Sequence, residues 1–255
     1  MTNNSDKYQD LLNVEGADKF ISNTERWLTM PAGRHILHVD KFMEMDDDAL
    51  LRHYFIYADF WKKERGWEHK RYSKMFKGRD VVEVGSGFGF DGIMYSQKAN
   101  SHTYCDINPR QLDFLKRITN VIDKKVRPIK NVKFEWLEDP LSQSFDRKFT
   151  ALYSHGVLHH VPLAFAKKEF ANFNKYLEVG SPVVFLMYPK TRWVDCGMPP
   201  FETFGNFTDS GCPWAEYYDE EKTMELVGPG FELNEVIHWG ANDREFVNFE
   251  LTKMG

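Results

Sequence analysis

The chain has 255 residues, of which 42% are hydrophobic, 15% aromatic and 28% charged, so one large domain with an ordinary core is expected and global disorder is excluded. Its 33 basic and 38 acidic residues give a net charge of −5, the wrong sign for a protein that neutralises many phosphates. We therefore expect no nucleic-acid partner.

The sequence contains no pattern typical of export, of membrane insertion or of a metal site. No stretch approaches the roughly 20 consecutive apolar residues of a membrane helix, and the N-terminus MTNNSDKYQD lacks a basic flank before an apolar run. The three cysteines, Cys105, Cys196 and Cys212, lack the paired spacing of a zinc site or a disulfide framework. A cytoplasmic protein is expected, with no membrane contact and no metal.

Residues 1–75 are predicted to form a helical N-terminal extension that serves as a lid. Asp46, Asp47 and Asp48 precede an apolar run, which favours a helix start by capping and by the helix dipole. A metal site is the weaker interpretation, because adjacent helical side chains point to different faces. An aromatic-rich helix follows, and it covers either the core or a substrate: Tyr54, Phe55, Tyr57, Phe60 and Trp61.

Residues 76–255 are predicted to form one α/β domain, because short apolar runs alternate with amphipathic segments as in a mostly parallel sheet. Strands are predicted near 80–84, 102–106, 132–136, 149–153 and 182–187, and helices near 89–97, 109–122, 162–177 and 215–227. The runs FELNEVIHW and REFVNFELT, separated by turn residues 240–243, predict an antiparallel pair at the end of the chain.

A glycine-rich segment and a later acid together indicate a nucleotide-like cofactor. The segment VVEVGSGFGF puts an apolar strand directly before Gly85, Gly87 and Gly89, where backbone can approach a ligand closely. Asp106 closes the next strand, and a carboxylate at that position can accept hydrogen bonds from both hydroxyls of a ribose. The weaker alternative is that Asp106 only bonds the following turn, where Asn108 and Pro109 are better suited to start the helix.

The spacing of the glycines is GxGxG, with Phe90 where a nicotinamide dinucleotide site has its third glycine. With Glu83 two residues before Gly85, the segment resembles motif I of the class I S-adenosylmethionine-dependent methyltransferases. Downstream, Glu138 and Asp139 and then the segment YSHGVLHHVP resemble later parts of the small-molecule members, in the same order over residues 80–190. The resemblance implies a Rossmann-like, seven-stranded and mostly parallel sheet with helices on both faces.

The resemblance also implies a set of residues around S-adenosyl-L-methionine. Glu83 either assists the ammonium group of the methionine part or anchors the turn. Asp106 accepts hydrogen bonds from the ribose hydroxyls, and Ile107 packs on the face of the adenine. One of Glu138 and Asp139 accepts a hydrogen bond from adenine N6. The expected cofactor-binding residues are Glu83, Gly85, Ser86, Gly87, Gly89, Asp106, Ile107, Glu138, Asp139 and Ser154.

Three histidines are candidates for the catalytic base. His155, His159 and His160 follow the fourth predicted strand, where the reacting methyl group is expected, and a histidine of near-neutral pKa suits proton removal from a hydroxyl. Each histidine alone is better explained by a structural role, but we expect at least one of the three to be catalytic. His160 is favoured slightly over His159, and His155 is the third candidate.

The acceptor is expected between the N-terminal helices and a lid-like insertion at about 188–215. That segment is longer than most connections in a compact domain. Single aromatic residues there more often staple a loop to the core than meet a ligand. The candidate substrate residues are Trp61, His69, Tyr72, Tyr188, Arg192, Trp193 and Trp214.

The sequence therefore predicts a methyltransferase acting on a small polar molecule, with O-methylation of a sugar or natural-product hydroxyl as the first hypothesis. N- or C-methylation is the alternative within enzymes, and a non-catalytic cofactor-binding subunit is the alternative of another class. Methylation of nucleic acid is disfavoured by the charge and by the lack of the proline-rich tetrapeptide of amino-methylating enzymes after the fourth strand. A homodimer is neither required nor excluded.

Overall fold

The strands of the protein lie close to the predicted positions. The computed structural model describes residues 16–29, 37–208 and 211–255, so parts of the predicted extension and two residues of the insertion lie outside the described residues. The described strands are β1 (Asp80–Val84), β2 (Ser101–Asp106), β3 (Val132–Trp136), β4 (Ala151–His155), β5 (Pro182–Pro189), β6 (Tyr217–Tyr218), β7 (Phe231–Trp239) and β8 (Phe246–Lys253).

Seven of these strands form one sheet in the order β3-β2-β1-β4-β5-β8-β7, and the short β6 pairs with the end of β5. Strands β1 to β5 are parallel, β8 is antiparallel to β5, and β7 pairs antiparallel with β8 as predicted. Because β1 is flanked by β2 on one side and β4 on the other, the carboxyl ends of β1 and β4 open a crevice at this point of the sheet.

Helices cover both faces of the sheet. The described α-helices are α1 (Ala17–Thr29), α2 (Val39–Glu44), α3 (Asp47–Met75), α4 (Gly92–Tyr95), α5 (Pro109–Lys125), α6 (Leu163–Asn174), α7 (Lys190–Asp195), α8 (Phe201–Phe204) and α9 (Glu220–Val227). No helix in the part of the chain that the structure describes is long and apolar enough to cross a membrane.

Capping residues begin two of the long helices where the sequence indicates. The Asp46 side chain accepts a hydrogen bond from the backbone N–H of Ala49 at 2.8 Å and starts α3. Asn108 caps α5 by accepting from the next turn, and Pro109 occupies the first helical position. Each cap satisfies an N–H group that the first turn of a helix otherwise leaves without a partner.

Three predicted elements differ in extent. The helix predicted at 89–97 is reduced to α4, because the glycine segment stays in a turn up to Asp91. The helix predicted at 215–227 begins at Glu220, where Asp219 caps it, since the preceding residues form β6. The fourth strand, predicted at 149–153, begins at Ala151, while Phe149 makes only an isolated bridge.

The alternation of side chains along β1 divides the core between the two faces. Val82 and Val84 pack on one face with residues of α6 and of the β7–β8 pair. Val81 packs on the opposite face with Tyr72 of α3. The N-terminal part of α3 and α5 form a further apolar cluster around the glycine segment. The buried sheet thereby fixes the carboxyl ends of β1, β2 and β4, which hold the candidate site.

Candidate active site

A cavity of about 270 Å³ lies at the carboxyl ends of β1, β2 and β4. Its wall contains the glycine segment, Asp106 and all three candidate histidines, which are far apart in the sequence. Two further parts of the wall come from α1 and α3 of the N-terminal region. The cavity is close to the lower end of the size range of small-molecule sites.

The glycine segment is held against β2 and β4 by packing that leaves no room for side chains. Gly85 has φ +71°, and a Cβ atom there would lie 2.2 Å from a methyl carbon of Val157, in the loop after β4. Its N–H group donates to the carbonyl of Cys105 at 2.8 Å. Ser86 is buried, and its hydroxyl donates to the same carbonyl. This region of the cavity wall is therefore built largely from backbone.

Asp106 is fixed by the backbone of two neighbouring segments. One carboxylate oxygen accepts from the N–H of Gly87 and the other from the N–H of Asn108, both at 2.8 Å. Burial raises the pKa of Asp106 to about 6, although these two hydrogen bonds work in the opposite direction. Asp106 therefore bonds the turn, as in the weaker sequence interpretation, and its carboxylate also faces the cavity.

Glu83 is anchored from behind the glycine segment. His102 of β2 lies with Nε2 2.6 Å from a carboxylate oxygen of Glu83, and both side chains are buried. Burial raises the pKa of Glu83, while the hydrogen bond from His102 opposes that rise. Gly92 leaves the space that the carboxylate occupies, since a Cβ there would lie 2.0 Å from it. Glu83 thus joins β1 to β2 through His102 and also lines the cavity.

The acids after β3 lie outside the cavity wall, whereas apolar residues beside them line it. Glu138 is exposed, and Asp139 accepts from the backbone of Leu141 within its own turn. Leu137 and Pro140 line the cavity together with Ile107, which follows Asp106. Ser154, another expected cofactor contact, is buried in β4 and lies outside the wall.

His159 and His160 form a buried pair at the wall. Their Nε2 atoms are 3.0 Å apart, and His160 Nδ1 lies 3.2 Å from the carbonyl oxygen of Trp214. Because a carbonyl only accepts, His160 carries a proton on Nδ1, and one N–H group joins the two Nε2 atoms. Burial, and after it His160, hold the pKa of His159 well below its usual range.

His155, at the end of β4, is the most exposed of the three histidines and contacts groups of both charges. Arg65 Nη1 lies 3.0 Å from His155 Nε2, and a carboxylate oxygen of Glu68 lies 3.6 Å from the same nitrogen. Glu68 is fully buried behind His155, and this oxygen makes no hydrogen bond to a described residue. A proton gained at this nitrogen would therefore face both the carboxylate of Glu68 and the guanidinium of Arg65.

A buried ion pair joins α3 to the glycine segment. Arg65 Nη2 lies 2.9 Å from one oxygen of Asp91, and His69 Nε2 lies 2.7 Å from the other oxygen. Burial favours the neutral form of Asp91, but Arg65 and His69 outweigh it and hold the pKa of Asp91 well below its usual range. Arg65 has non-helical backbone angles, so α3 is kinked where its side chain enters the cavity wall.

Two of the seven candidate substrate residues line the cavity, namely Trp61 and Tyr188. The others make contacts elsewhere: His69 bonds Asp91, Tyr72 lies in the core, and Arg192 packs over Tyr188 and Phe246 from outside the wall. The indole of Trp193 donates to Pro199, and that of Trp214 donates to Glu216. Tyr188 is the only described residue of the insertion that lines the cavity. Trp214 contributes indirectly, because its carbonyl oxygen contacts His160, which is part of the wall.

Several wall residues were not predicted from the sequence. They come from α1, α3, α6, the β7–β8 pair and the end of the glycine segment, and they include Asn23, Trp27, Arg65, Asp91, Glu169, Trp239 and Phe246. The only signal for any of them was the general expectation that the N-terminal helices cover the acceptor. In the described parts of the chain, no group of three or more His, Cys, Asp and Glu residues is arranged to hold a metal ion.

No family model matches the chain, and no curated protein matches it significantly. Solved structures are similar to it. The magnesium protoporphyrin IX methyltransferase ChlM from Synechocystis PCC 6803 with bound SAH is 16% identical, with TM-score 0.56 over 98% of this chain and 99% of that chain. The N-methyltransferase NodS from Bradyrhizobium japonicum WM9 in complex with S-adenosyl-l-homocysteine is 13% identical, with TM-score 0.54 over 84% of this chain and 96% of that chain.

A SAM-dependent methyltransferase from Aquifex aeolicus is also similar, at 14% identity and TM-score 0.56 over 86% of this chain and 100% of that chain. These likenesses extend over most of each chain and concern the arrangement of strands and helices. The Rossmann-like fold of the S-adenosylmethionine-dependent methyltransferases, which the sequence resemblance implies, is therefore confirmed.

Proposed function

We propose that this protein, which has the fold of the class I methyltransferases, transfers a methyl group from S-adenosyl-L-methionine to a hydroxyl group of a small polar acceptor. One observation carries the proposal: a single cavity contains both the Gly87–Asp106 arrangement at one part of its wall and the three histidines at another. ChlM and NodS, which share the fold, have been solved with S-adenosylhomocysteine bound.

The residues present fit the cofactor. The carboxylate of Asp106, already oriented by two backbone N–H groups, can accept from the ribose hydroxyls. Ile107 and Leu137 supply apolar surface for the adenine faces, and the backbone at Gly85 borders the methionine part. When bound, the cofactor supplies an electrophilic methyl group. The protein supplies the orientation of the acceptor opposite that group and a place for the acceptor's proton.

His155 is the best-placed proton acceptor among the three histidines. Its ring lines the cavity and lies between two charged groups, the buried carboxylate of Glu68, which favours a proton on the nearer ring nitrogen, and the guanidinium of Arg65, which opposes one. His159 and His160 are bonded to each other, and His160 is further engaged by Trp214. The pair therefore serves to shape and polarise the wall, with His155 as the base.

Aromatic side chains form part of the cavity wall, and they favour an acceptor with flat apolar faces and hydroxyl groups, such as a sugar ring. Trp61, Tyr188, Trp239 and Phe246 line this part of the cavity. Trp239 and Phe246 are stacked with ring centroids 4.7 Å apart, so they present a preorganised surface. NodS is described as an N-methyltransferase, and the same fold therefore serves nitrogen acceptors as well.

A screen for S-adenosylhomocysteine release tests the proposal. Nucleotide-linked sugars, phenols, amines and short peptides are each incubated with the protein and the cofactor, and the methylated atom is identified by mass spectrometry. Turnover with hydroxyl acceptors is the expected result, and turnover confined to amines or peptides would contradict it. Cofactor binding without turnover in any class would favour a non-catalytic subunit, and absence of cofactor binding in calorimetry would overturn the proposal altogether.

A further inference from the structure

Glu169 is a buried carboxyl residue in the cavity wall for which the proposed reaction has no use. It lies on α6, it is 4% exposed, and the apolar core contains its neighbours Ala166 and Phe170. No described residue forms a hydrogen bond with its carboxyl group. Burial raises the pKa of Glu169 to about 7, and the carboxylate of Asp139 adds to the rise. A buried polar group without a partner is costly, which points to a ligand as the partner.

Asn23 of α1 offers a second acceptor in the same wall. Its Nδ2 donates to the backbone carbonyl of His160, which fixes the orientation of the amide because a carbonyl only accepts. Asn23 Oδ1 is consequently the free end, and it is buried without a hydrogen bond to any described residue. The cavity wall therefore presents two acceptors that lack donors among the described residues.

The contacts of α6 locate Glu169 beside the loop that follows β3. Asn172, one turn further along α6, donates to the carbonyls of Pro140 and Gln143 in that loop. Pro140 and Leu137 line the cavity there, next to Ile107 at the end of β2. With a ribose at Asp106 and the methionine part along the glycine segment, this apolar slot would be the place left for the base.

We propose that Glu169, with Asn23 Oδ1 as a second acceptor, recognises the exocyclic amino group of the adenine ring of the cofactor. This recognition rests on the proposed function, since it presupposes the same cofactor in the same cavity. An amino group carries two N–H donors, and the wall supplies two acceptors. The acids after β3, to which the sequence resemblance assigns this role, lie outside the wall, and Glu169 from α6 takes their place.

The site therefore discriminates between purines. A 6-oxo purine places an acceptor where adenine has a donor, so above about pH 7, where Glu169 is ionised, Glu169 and Asn23 would both be left without partners and would face the oxygen. A site built to bond a donor rejects analogues without it strongly, because its own buried groups then lose their partners. The protein is expected to bind S-adenosylhomocysteine and to bind S-inosylhomocysteine at least about 10-fold more weakly.

Calorimetry with these two ligands on the full chain and on three variants tests the proposal. Glu169→Leu is expected to lose at least about 10-fold in affinity for S-adenosylhomocysteine and to lose most of the preference over S-inosylhomocysteine. Glu169→Gln keeps an acceptor oxygen and is expected to retain most of the affinity for S-adenosylhomocysteine, but its amide N–H can donate to the 6-oxo group, so the preference over S-inosylhomocysteine should shrink. Glu178→Leu, at an exposed glutamate just beyond α6, is the matched control and should behave as the wild type.

The wild-type protein is measured first, and equal affinity for the two ligands overturns this inference alone. Retention of the wild-type preference in a folded Glu169→Leu also overturns it. Thermal melting shows whether that variant folds, and it is expected to do so because leucine removes a buried carboxyl group. If the wild type binds neither ligand, the proposed function fails, and this inference fails with it.

Discussion

Asp106 is the residue on which cofactor binding is expected to depend most. Replacing it by Asn leaves only one oxygen for the N–H groups of Gly87 and Asn108, so that one of them faces an amide NH2, and it removes the charge that strengthens hydrogen bonds to the ribose. We expect Asp106→Asn to weaken S-adenosylhomocysteine binding by about 1 to 3 kcal/mol, as measured by calorimetry. Unchanged affinity would contradict the assigned role.

The raised pKa of Asp106 also predicts a pH dependence. Because burial raises this pKa to about 6, the carboxylate takes up a proton as pH falls through that value and loses acceptor capacity, so affinity for the ligand should decline below about pH 6. Stability responds in the opposite sense, since the folded state binds this proton more tightly than the unfolded state. Titration calorimetry between pH 5 and 8 should show the decline in the wild type and a flatter profile in Asp106→Asn.

His155 is expected to govern turnover and to leave cofactor affinity unchanged. His155→Gln removes the group that accepts the proton, so kcat should fall by roughly 100-fold or more. His159→Gln and His160→Gln are expected to have smaller effects, because the pair polarises the wall. His238→Gln, at an exposed histidine on β7, is the matched control. Full activity in all three active-site variants would rule out a histidine base.

At the scale of elements, the glycine segment is constrained by its contact with the loop after β4. A Cβ at Gly85 would lie 2.2 Å from Val157, whereas Gly78 has nearly the same φ, +72° against +71°, and no atom within 4 Å of its added Cβ. Gly78→Ala therefore reports backbone strain alone. Gly85→Ala should destabilise the protein by at least about 1 to 3 kcal/mol more, because it adds overpacking to that strain.

Chemical denaturation of the two alanine variants measures this difference. The double variant Gly85→Ala/Val157→Ala should recover part of the loss, since shortening Val157 removes the methyl groups nearest to the new Cβ. Equal free energies of unfolding for Gly78→Ala and Gly85→Ala would mean that the loop after β4 moves freely away from the glycine segment. In that case the shape of the cavity would not depend on this contact.

At the scale of the whole molecule, the Arg65–Asp91 pair couples the N-terminal region to the sheet domain. Asp91→Asn leaves the guanidinium of Arg65 buried without its carboxylate partner, and we expect a loss of about 3 to 5 kcal/mol in the free energy of unfolding. The double variant Arg65→Met/Asp91→Leu should recover much of it, because both charges are then removed together. A loss below about 1 kcal/mol in the single variant would contradict this prediction.

The contribution of Asp91 to stability has a defined pH window. Its folded pKa lies below the ordinary value of 3.8, so the stability it provides is fully present above that value and is lost as pH falls further. The difference between the wild type and Asp91→Asn should therefore be constant near neutral pH and shrink only below about pH 4. Denaturation midpoints at several pH values measure it.

The sequence by itself determined the parallel sheet, the helix starts at Asp46 and Asn108, and the placement of Asp106 at the end of β2. These features depend on local patterns: apolar runs, capping side chains and glycines at a turn. Glycine spacing and the following acid also indicated the cofactor region, because both lie within one β-α-β unit. The same patterns overestimated the length of α4, since the residues beside it are held in a turn by contacts with residues far away in the sequence.

Only the tertiary structure decided which side chains reach the cavity. Glu138 and Asp139 occupy the expected positions along the chain, yet neither lines the cavity, whereas Glu169 does, from α6, which is bonded to the loop after β3 through Asn172. Arg65 pairs with Asp91, 26 positions further along the chain, at a residue where α3 is kinked. Side-chain direction over such separations is set by packing between elements, and a local sequence pattern contains no information about it.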